Sequence, residues 1–226
     1  MARKKKRVKF KIKNIIILLL VLSFIVLMGY CVIMMPISNI YISGNNIVSD
    51  NEVMELVGID DYPSFVLVNR FEMKKILLSN DYIENVKIRK KFGNIVEFDI
   101  EEYIVVASNK DNKIILSNGI VLDNKYEIYD IPLLINEISN KEIYNSFVSK
   151  VKKIDSDIYR QVSEIEYSPV GVDDERFLFY MSDGNVVHIT LTKINKINKY
   201  NKIKDKLEGK KGIIYLDSGD YVELVK

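Results

Sequence analysis

The chain has 226 residues, 48% of them apolar and 28% charged, which is enough for one large or two small globular domains beyond any membrane segment. Its formal net charge of +2 conceals an asymmetry: eight of the 33 basic residues precede Asn14 without an acid among them, leaving 25 basic against 31 acidic residues, a net of −6, in the remainder. That balance argues against nucleic-acid binding, and the one cysteine, Cys31, and one histidine, His188, leave no disulfide framework and no thiolate or histidine-cluster metal site.

Residues 15–35 read IIILLLVLSFIVLMGYCVIMM, 21 residues without a charge. That length suits a membrane-spanning helix, which needs about 20 apolar residues. A cleaved signal peptide would have a shorter apolar region, roughly 7–15 residues, followed by small residues. Here bulky Tyr30, Val32 and Ile33 continue the run. The basic residues before it predict a cytoplasmic tail over 1–13, a transmembrane helix over 14–35, and export of residues 36 onward.

Ile40-Tyr41-Ile42-Ser43 predicts a strand, and Gly44-Asn45-Asn46 a turn. Ser49-Asp50-Asn51-Glu52 fits a helix-capping box, with Val48 and Val53 placed as a hydrophobic staple and Gly58 as the stop. The spacing thus predicts a short helix over 50–57. A second helix is expected from about Asn69 to Asn80, with Met73, Ile76 and Leu77 on one face. Alternation over 83–89 and 95–103, separated by Lys90-Lys91-Phe92-Gly93-Asn94, predicts a hairpin. The order to this point is β-α-α-β-β.

After Val105 the pattern changes to strands and tight turns. Asn118-Gly119 centres a predicted hairpin over 114–122, and Asp183-Gly184 another over 177–191. Helices are expected over 142–154 and 193–207; in the second, Ile194, Ile197 and Tyr200 stand three apart. A strand is expected over 162–167, and a last pair over 212–216 and 221–225, around Asp217-Ser218-Gly219-Asp220.

These features in this order resemble the FtsQ/DivIB family of bacterial cell-division proteins. The residues that carry the resemblance are Ile40-Tyr41-Ile42-Ser43-Gly44-Asn45, the Ser49/Glu52 cap, Tyr82-Ile83-Glu84-Asn85-Val86, Glu102 with Val106-Ala107, Gly119-Ile120-Val121, Ile131-Pro132 and Ser182-Asp183-Gly184 before Val186. The chain departs from the family pattern at Gly93, Tyr103, Val105, Ser117 and Ile214-Tyr215-Leu216. The resemblance implies an α+β fold: a single N-terminal transmembrane helix, a β-α-α-β-β POTRA domain over 36–104, and over 105–226 a mostly antiparallel β domain with helices on one side.

No G-x-S-x-G, Walker loop or H-E-x-x-H is present. His188 is expected as a solvent-facing strand residue, and Asp173-Asp174-Glu175 as an acidic turn without the spacing of a calcium loop. An enzyme is therefore not expected, nor a cofactor, metal, nucleic acid or small-molecule substrate.

What remains is a protein-binding surface. The resemblance implies a divisome scaffold that binds FtsB/DivIC-like and FtsL-like partners outside the membrane, is enriched at the septum and helps control septal peptidoglycan synthesis. It places the partner contact at Leu216, Ser218 and Leu224. Strand addition at an open sheet edge adds Tyr215, Tyr221 and Val222, although the same side chains could equally close the core. The alternative function is a secretion or transport component whose POTRA-like domain binds extended polypeptides.

Overall fold

The structure is a computed structural model that describes residues 11–225. Most of the basic tail expected over 1–13 lies outside the described residues. The chain divides into two compact units, residues 1–102 and 103–226.

The first unit begins with α1, Ile12–Ile33, the one helix among the described residues that is long and apolar enough to cross a membrane. The strand β1 (Asn39–Ser43), the helices α2 (Asp50–Val57) and α3 (Arg70–Leu77), and the strands β2 (Ile83–Lys91) and β3 (Ile95–Glu102) follow in the expected order. The sheet runs β1-β3-β2, with β1 parallel and β2 antiparallel to β3.

Local chemistry accounts for these boundaries. Ser49 caps α2 by accepting the Glu52 N–H at 3.2 Å, and Gly58 ends the helix in the left-handed conformation. Val48 and Val53, the two staple residues, are both buried. Asn69 caps α3 by accepting from the Phe71 N–H, and this helix stops at Leu77, three residues short of its expected end. Gly44 follows β1 at φ +84°, where a Cβ would lie 2.0 Å from the Ile100 carbonyl oxygen. A glycine there lets the chain leave β1 pressed against β3.

The second unit is built on a nine-stranded sheet. Its strands are β4 (Val105–Ser108), β5 (Lys113–Leu116), β6 (Val121–Asp123), β7 (Leu133–Leu134), β8 (Val162–Tyr167), β9 (Arg176–Met181), β10 (Val186–Thr190), β11 (Gly212–Tyr215) and β12 (Tyr221–Leu224). Their spatial order is β12-β11-β10-β9-β8-β7-β4-β5-β6. Five of the eight neighbouring pairs are antiparallel; β4 with β7, β7 with β8, and β10 with β11 are parallel.

Alternate residues of β9, namely Phe177, Phe179 and Met181, point into one apolar cluster. That cluster receives Phe147 from α4 (Lys141–Val151), Ile158 from the short α5 (Ser156–Tyr159), and Ile194 and Ile197 from a 3-10 stretch over Leu191–Lys199. Phe147 stacks on Phe177 at 5.0 Å between ring centroids. The side chains between them on β9, Arg176, Leu178 and Tyr180, are half-buried on the opposite face.

The segment expected as one helix over 193–207 is instead the 3-10 stretch followed by α6, Tyr200–Lys206. Ile194, Ile197 and Tyr200 are spaced by three residues and all buried. A period of three lines one face of a 3-10 helix and drifts around an α-helix, so the tighter winding puts all three into the core.

Candidate functional site

The strand β12 is the outermost strand of the nine-stranded sheet at this end and pairs only with β11 among the described residues. Backbone groups on its outer side have no strand partner there, which makes it a template for an added strand. Tyr221 is 50% exposed and Leu224 is 49% exposed, large fractions for apolar-bodied side chains at a sheet edge.

The six residues named from the sequence do not form one patch. Tyr215 and Tyr221 sit opposite each other on β11 and β12, and their rings stack at 4.5 Å with 15° between planes. Val222 pairs with buried Ile214 and packs against the core. Leu224 lies opposite Gly212, which offers it no side chain, and stays exposed. Ser218 is exposed on the turn and donates to Asp217 Oδ1 at 2.9 Å. Leu216 is only 4% exposed and belongs to the core cluster, so it shapes the edge from beneath and does not present itself to a partner.

An aromatic ladder continues inward from the edge. His188 on β10 is in register with Tyr215 and meets it edge-on at 4.6 Å. The expectation that His188 faces solvent is corrected here: the ring is half-buried between Tyr215 and Arg176. Arg176 Nη2 lies 2.5 Å from His188 Nδ1. Because guanidinium can only donate, that nitrogen accepts and the ring is neutral. Burial, and then the Arg176 charge, hold the His188 pKa below its usual 6.5.

Arg176 also donates from Nε to Asp217 Oδ2 at 3.0 Å, an ion pair whose side chains are 15% and 9% exposed. Burial alone would raise the Asp217 carboxyl, but the bonds from Ser218 and Arg176 outweigh it and hold the pKa below the usual value. Lys193 reaches the Asp217 carbonyl and Lys196 the Asp220 carboxylate. The turn between β11 and β12 is thus held from β9 and from the 3-10 stretch.

The start of β11 is held by a second network. Asn185, 4% exposed, accepts the Gly212 N–H at 2.8 Å and donates to the Tyr200 hydroxyl at 2.9 Å and to Asp183 Oδ1 at 3.0 Å. Tyr200 donates to Asp183 at 2.7 Å, and Lys204 pairs with the same carboxylate at 2.9 Å. Burial and then the Asp183 bond push the Tyr200 hydroxyl pKa above its usual value. Among the described residues no buried side-chain nitrogen or oxygen lacks a hydrogen-bond partner.

Sequence reading did not find Asn185, Tyr200 or Arg176 as positioning residues. The sequence presents Asp183 only as part of a turn, and nothing in the spacing of Arg176, His188 and Asp217 joins them before the strands are paired. Among the described residues no group of three His, Cys, Asp or Glu side chains is placed to hold a metal ion. The arrangement offers an edge and a set of buried polar anchors for it.

A sequence model of the FtsQ-type POTRA domain matches residues 35–103. Over nearly its whole length the chain is similar to cell division protein DivIB of Bacillus anthracis, 28% identical over 229 residues that cover 96% of this chain and 86% of that one. It is likewise similar to DivIB of Bacillus subtilis strain 168, 29% identical over 229 residues, covering 97% and 87%. A solved structure, the major extracytoplasmic domain of the trans isomer of DivIB from Geobacillus stearothermophilus, aligns with 48% of this chain and 96% of its own at 21% identity and a TM-score of 0.39.

Proposed function

Because this chain belongs to the FtsQ/DivIB family of cell-division proteins, we propose that it acts in division as a non-enzymatic scaffold that captures FtsB/DivIC-like and FtsL-like proteins outside the membrane. In this reading α1 is a single-pass anchor, the basic residues before it keep that end in the cytoplasm, residues 36–104 form a POTRA domain and residues 105–226 a partner-binding β domain. The captured pair then helps control septal peptidoglycan synthesis, and the protein is enriched at the septum.

The observation that carries the reading is the open β12 edge, with Tyr221 and Leu224 exposed along it. A partner strand laid beside β12 would complete its backbone hydrogen bonds and extend the sheet by one strand. Tyr221 and Leu224 would supply the side-chain contacts on its two faces. Tyr215 would act through its stack on Tyr221, Val222 through its seat on the core, Ser218 from the adjoining turn, and Leu216 from below.

The test is binding of the full chain in detergent or nanodiscs to a soluble FtsB/DivIC-type fragment, beside Tyr221→Lys and Leu224→Glu variants. Leu224→Glu changes an exposed side chain and should leave the thermal melt unchanged, and Tyr221→Lys, which loses the stack on Tyr215, should lower it only slightly. Binding by the parent chain that both variants abolish is the expected result. A folded parent chain that binds neither the fragment nor its complex with an FtsL-type protein would overturn the reading.

A further inference from the structure

The end of α1 is tied by hydrogen bonds to two loops of its own unit. Ser64 donates from its hydroxyl to the Ile33 carbonyl, and the Phe65 N–H donates to the Met35 carbonyl at 2.9 Å. The Ile37 N–H returns a bond to the Pro63 carbonyl at 3.0 Å. From the other loop, Asn94 Nδ2 donates to the Pro36 carbonyl at 3.1 Å, and the Ser38 N–H donates to the Asn94 carbonyl at 2.9 Å. The chain therefore does not leave the helix as a free linker; residues 33–38 are held between the 62–68 loop and the 92–94 turn.

This bonding sets a height. α1 has 22 residues, about 33 Å at 1.5 Å per residue, close to the ~30 Å of a bilayer's hydrocarbon. When α1 crosses the bilayer, the Ile33 carbonyl lies at the boundary between acyl chains and headgroups. Ser64 is bonded to it, and Phe65 and Asn94 to the carbonyls of Met35 and Pro36 within three residues of it, so their loops lie at the same level.

Those loops are apolar where a water-facing loop would be polar. Leu67 is 70% exposed, Phe71 at the first turn of α3 is 72% exposed, and Phe92 at the tip of the β2–β3 turn is fully exposed. Basic groups accompany the rings: Arg70 lies over Phe71 at 4.9 Å and Lys90 over Phe65 at 4.5 Å. Aromatic rings with cationic neighbours are what the interfacial layer of a membrane favours.

We propose that the 62–71 loop and the 92–94 turn form a lipid-contacting collar, with Leu67 and Phe92 inserted at the acyl–headgroup boundary of the leaflet that α1 leaves. The proposal rests on the reading that α1 spans the bilayer. The occupant is lipid because the loops are bonded to the spanning helix itself, so that the membrane is the surface they cannot avoid. The collar would hold the unit at a fixed height and restrict its swing about the helix end.

The chain contains no tryptophan, so each substitution to tryptophan creates a single reporter. Leu67→Trp, Phe92→Trp, Glu101→Trp and Phe24→Trp are made in the full chain and reconstituted in nanodiscs of phosphatidylethanolamine and phosphatidylglycerol, with bromines placed near the top or near the centre of the acyl chains. Glu101 is exposed near the far end of β3, roughly 20 Å along the strand from Ile95; Phe24 lies midway along α1. The expected result is blue-shifted emission and loss of intensity to shallow bromines at 67 and 92, loss to deep bromines at 24, and neither at 101. Quenching at 24 with none at 67 and 92 overturns the collar and leaves the span standing. No quenching at 24 overturns the span and the collar together. A blue shift at 67 or 92 without quenching means that protein covers the site, and quenching at 101 means that the whole unit lies on the membrane; either overturns the proposal.

Discussion

The carboxylate of Glu102, the last residue of β3, accepts the backbone N–H of Val48 at 2.8 Å across 54 residues of chain. The same group accepts from the N–H of Asn46 at 2.7 Å and of Ile47 at 2.9 Å. Three successive amides of the turn before α2 thus converge on one side chain that closes the far end of the sheet.

Replacing Glu102 with alanine leaves those three amides without this acceptor. Charge-assisted hydrogen bonds are worth about 1.5–3 kcal/mol where they are sheltered, and this site is only partly so. Glu102→Ala should destabilise the first unit by about 2 kcal/mol, and Glu102→Gln by about half of that. Hydrogen exchange at residues 46–48 in the full chain is the direct measurement, with faster exchange expected in the order Ala, Gln, parent.

Gly212 should not tolerate a side chain. A Cβ there would stand 2.9 Å from the Glu223 carbonyl oxygen and 2.9 Å from Val222 Cγ1. Gly212→Ala should push β12 away from β11 at a cost of about 1–3 kcal/mol. Amides of β12 should lose exchange protection while those of β9 and β10 keep theirs, and under the proposed function partner binding should fall, as is expected for Tyr221→Lys.

Asn185 and Tyr200 should behave as one unit. Asn185→Leu strands the buried Gly212 N–H, at about 1–3 kcal/mol, and Tyr200→Phe removes the hydroxyl that bridges Asn185 and Asp183. Because the two side chains bond to each other, the double variant should lose less stability than the two singles together. Urea unfolding of all four proteins measures the coupling.

Acid should weaken the second unit in two steps. The folded pKa of His188 lies below its usual value through burial and Arg176. The unfolded chain therefore takes up a proton that the folded chain refuses, and stability falls as pH drops below about 6.5 towards the folded pKa. Asp183 and Asp217 also have lowered pKa values, their hydrogen bonds overcoming burial. Their contribution is present above about pH 3.9 and is lost as pH falls through their folded values. Urea midpoints read across this range should show both steps, and His188→Gln should remove the first and keep the second.

Much of the first unit could be read in advance because its signals are local. The capping side chain of Ser49, the stop at Gly58 and the alternation of β3 all act within a few residues of themselves. The 3-10 stretch was also written in the spacing of Ile194, Ile197 and Tyr200, although a helix of ordinary pitch was expected. The strand β7 has two residues, too few for any alternation to register, and α5 is a single turn without a capping hydrogen bond from its N-cap side chain.

The candidate site divides in the same way. Strand formation at Tyr221–Leu224 follows from its own residues and the turn before it. Its place at the rim of a nine-stranded sheet does not, because β10 and β11 pair in parallel across a helical crossover, and pairing over such a distance leaves no mark on neighbouring residues. Nor could spacing reveal that Leu216 turns inward while Leu224 stays out.

A run of 21 uncharged residues suffices to specify an apolar helix of bilayer length, since hydrocarbon thickness and helix rise together set how many residues such a helix takes. Local hydrophobic periods and caps suffice for most elements, since hydrogen bonding and burial act at fixed offsets along a helix or strand. Which carboxylate closes which turn, which strand is left at the rim, and which loops clasp the end of α1 depend on residues brought together from 26 to 58 positions apart. Those contacts exist only once the chain has folded, and the edge and the clasp follow from them.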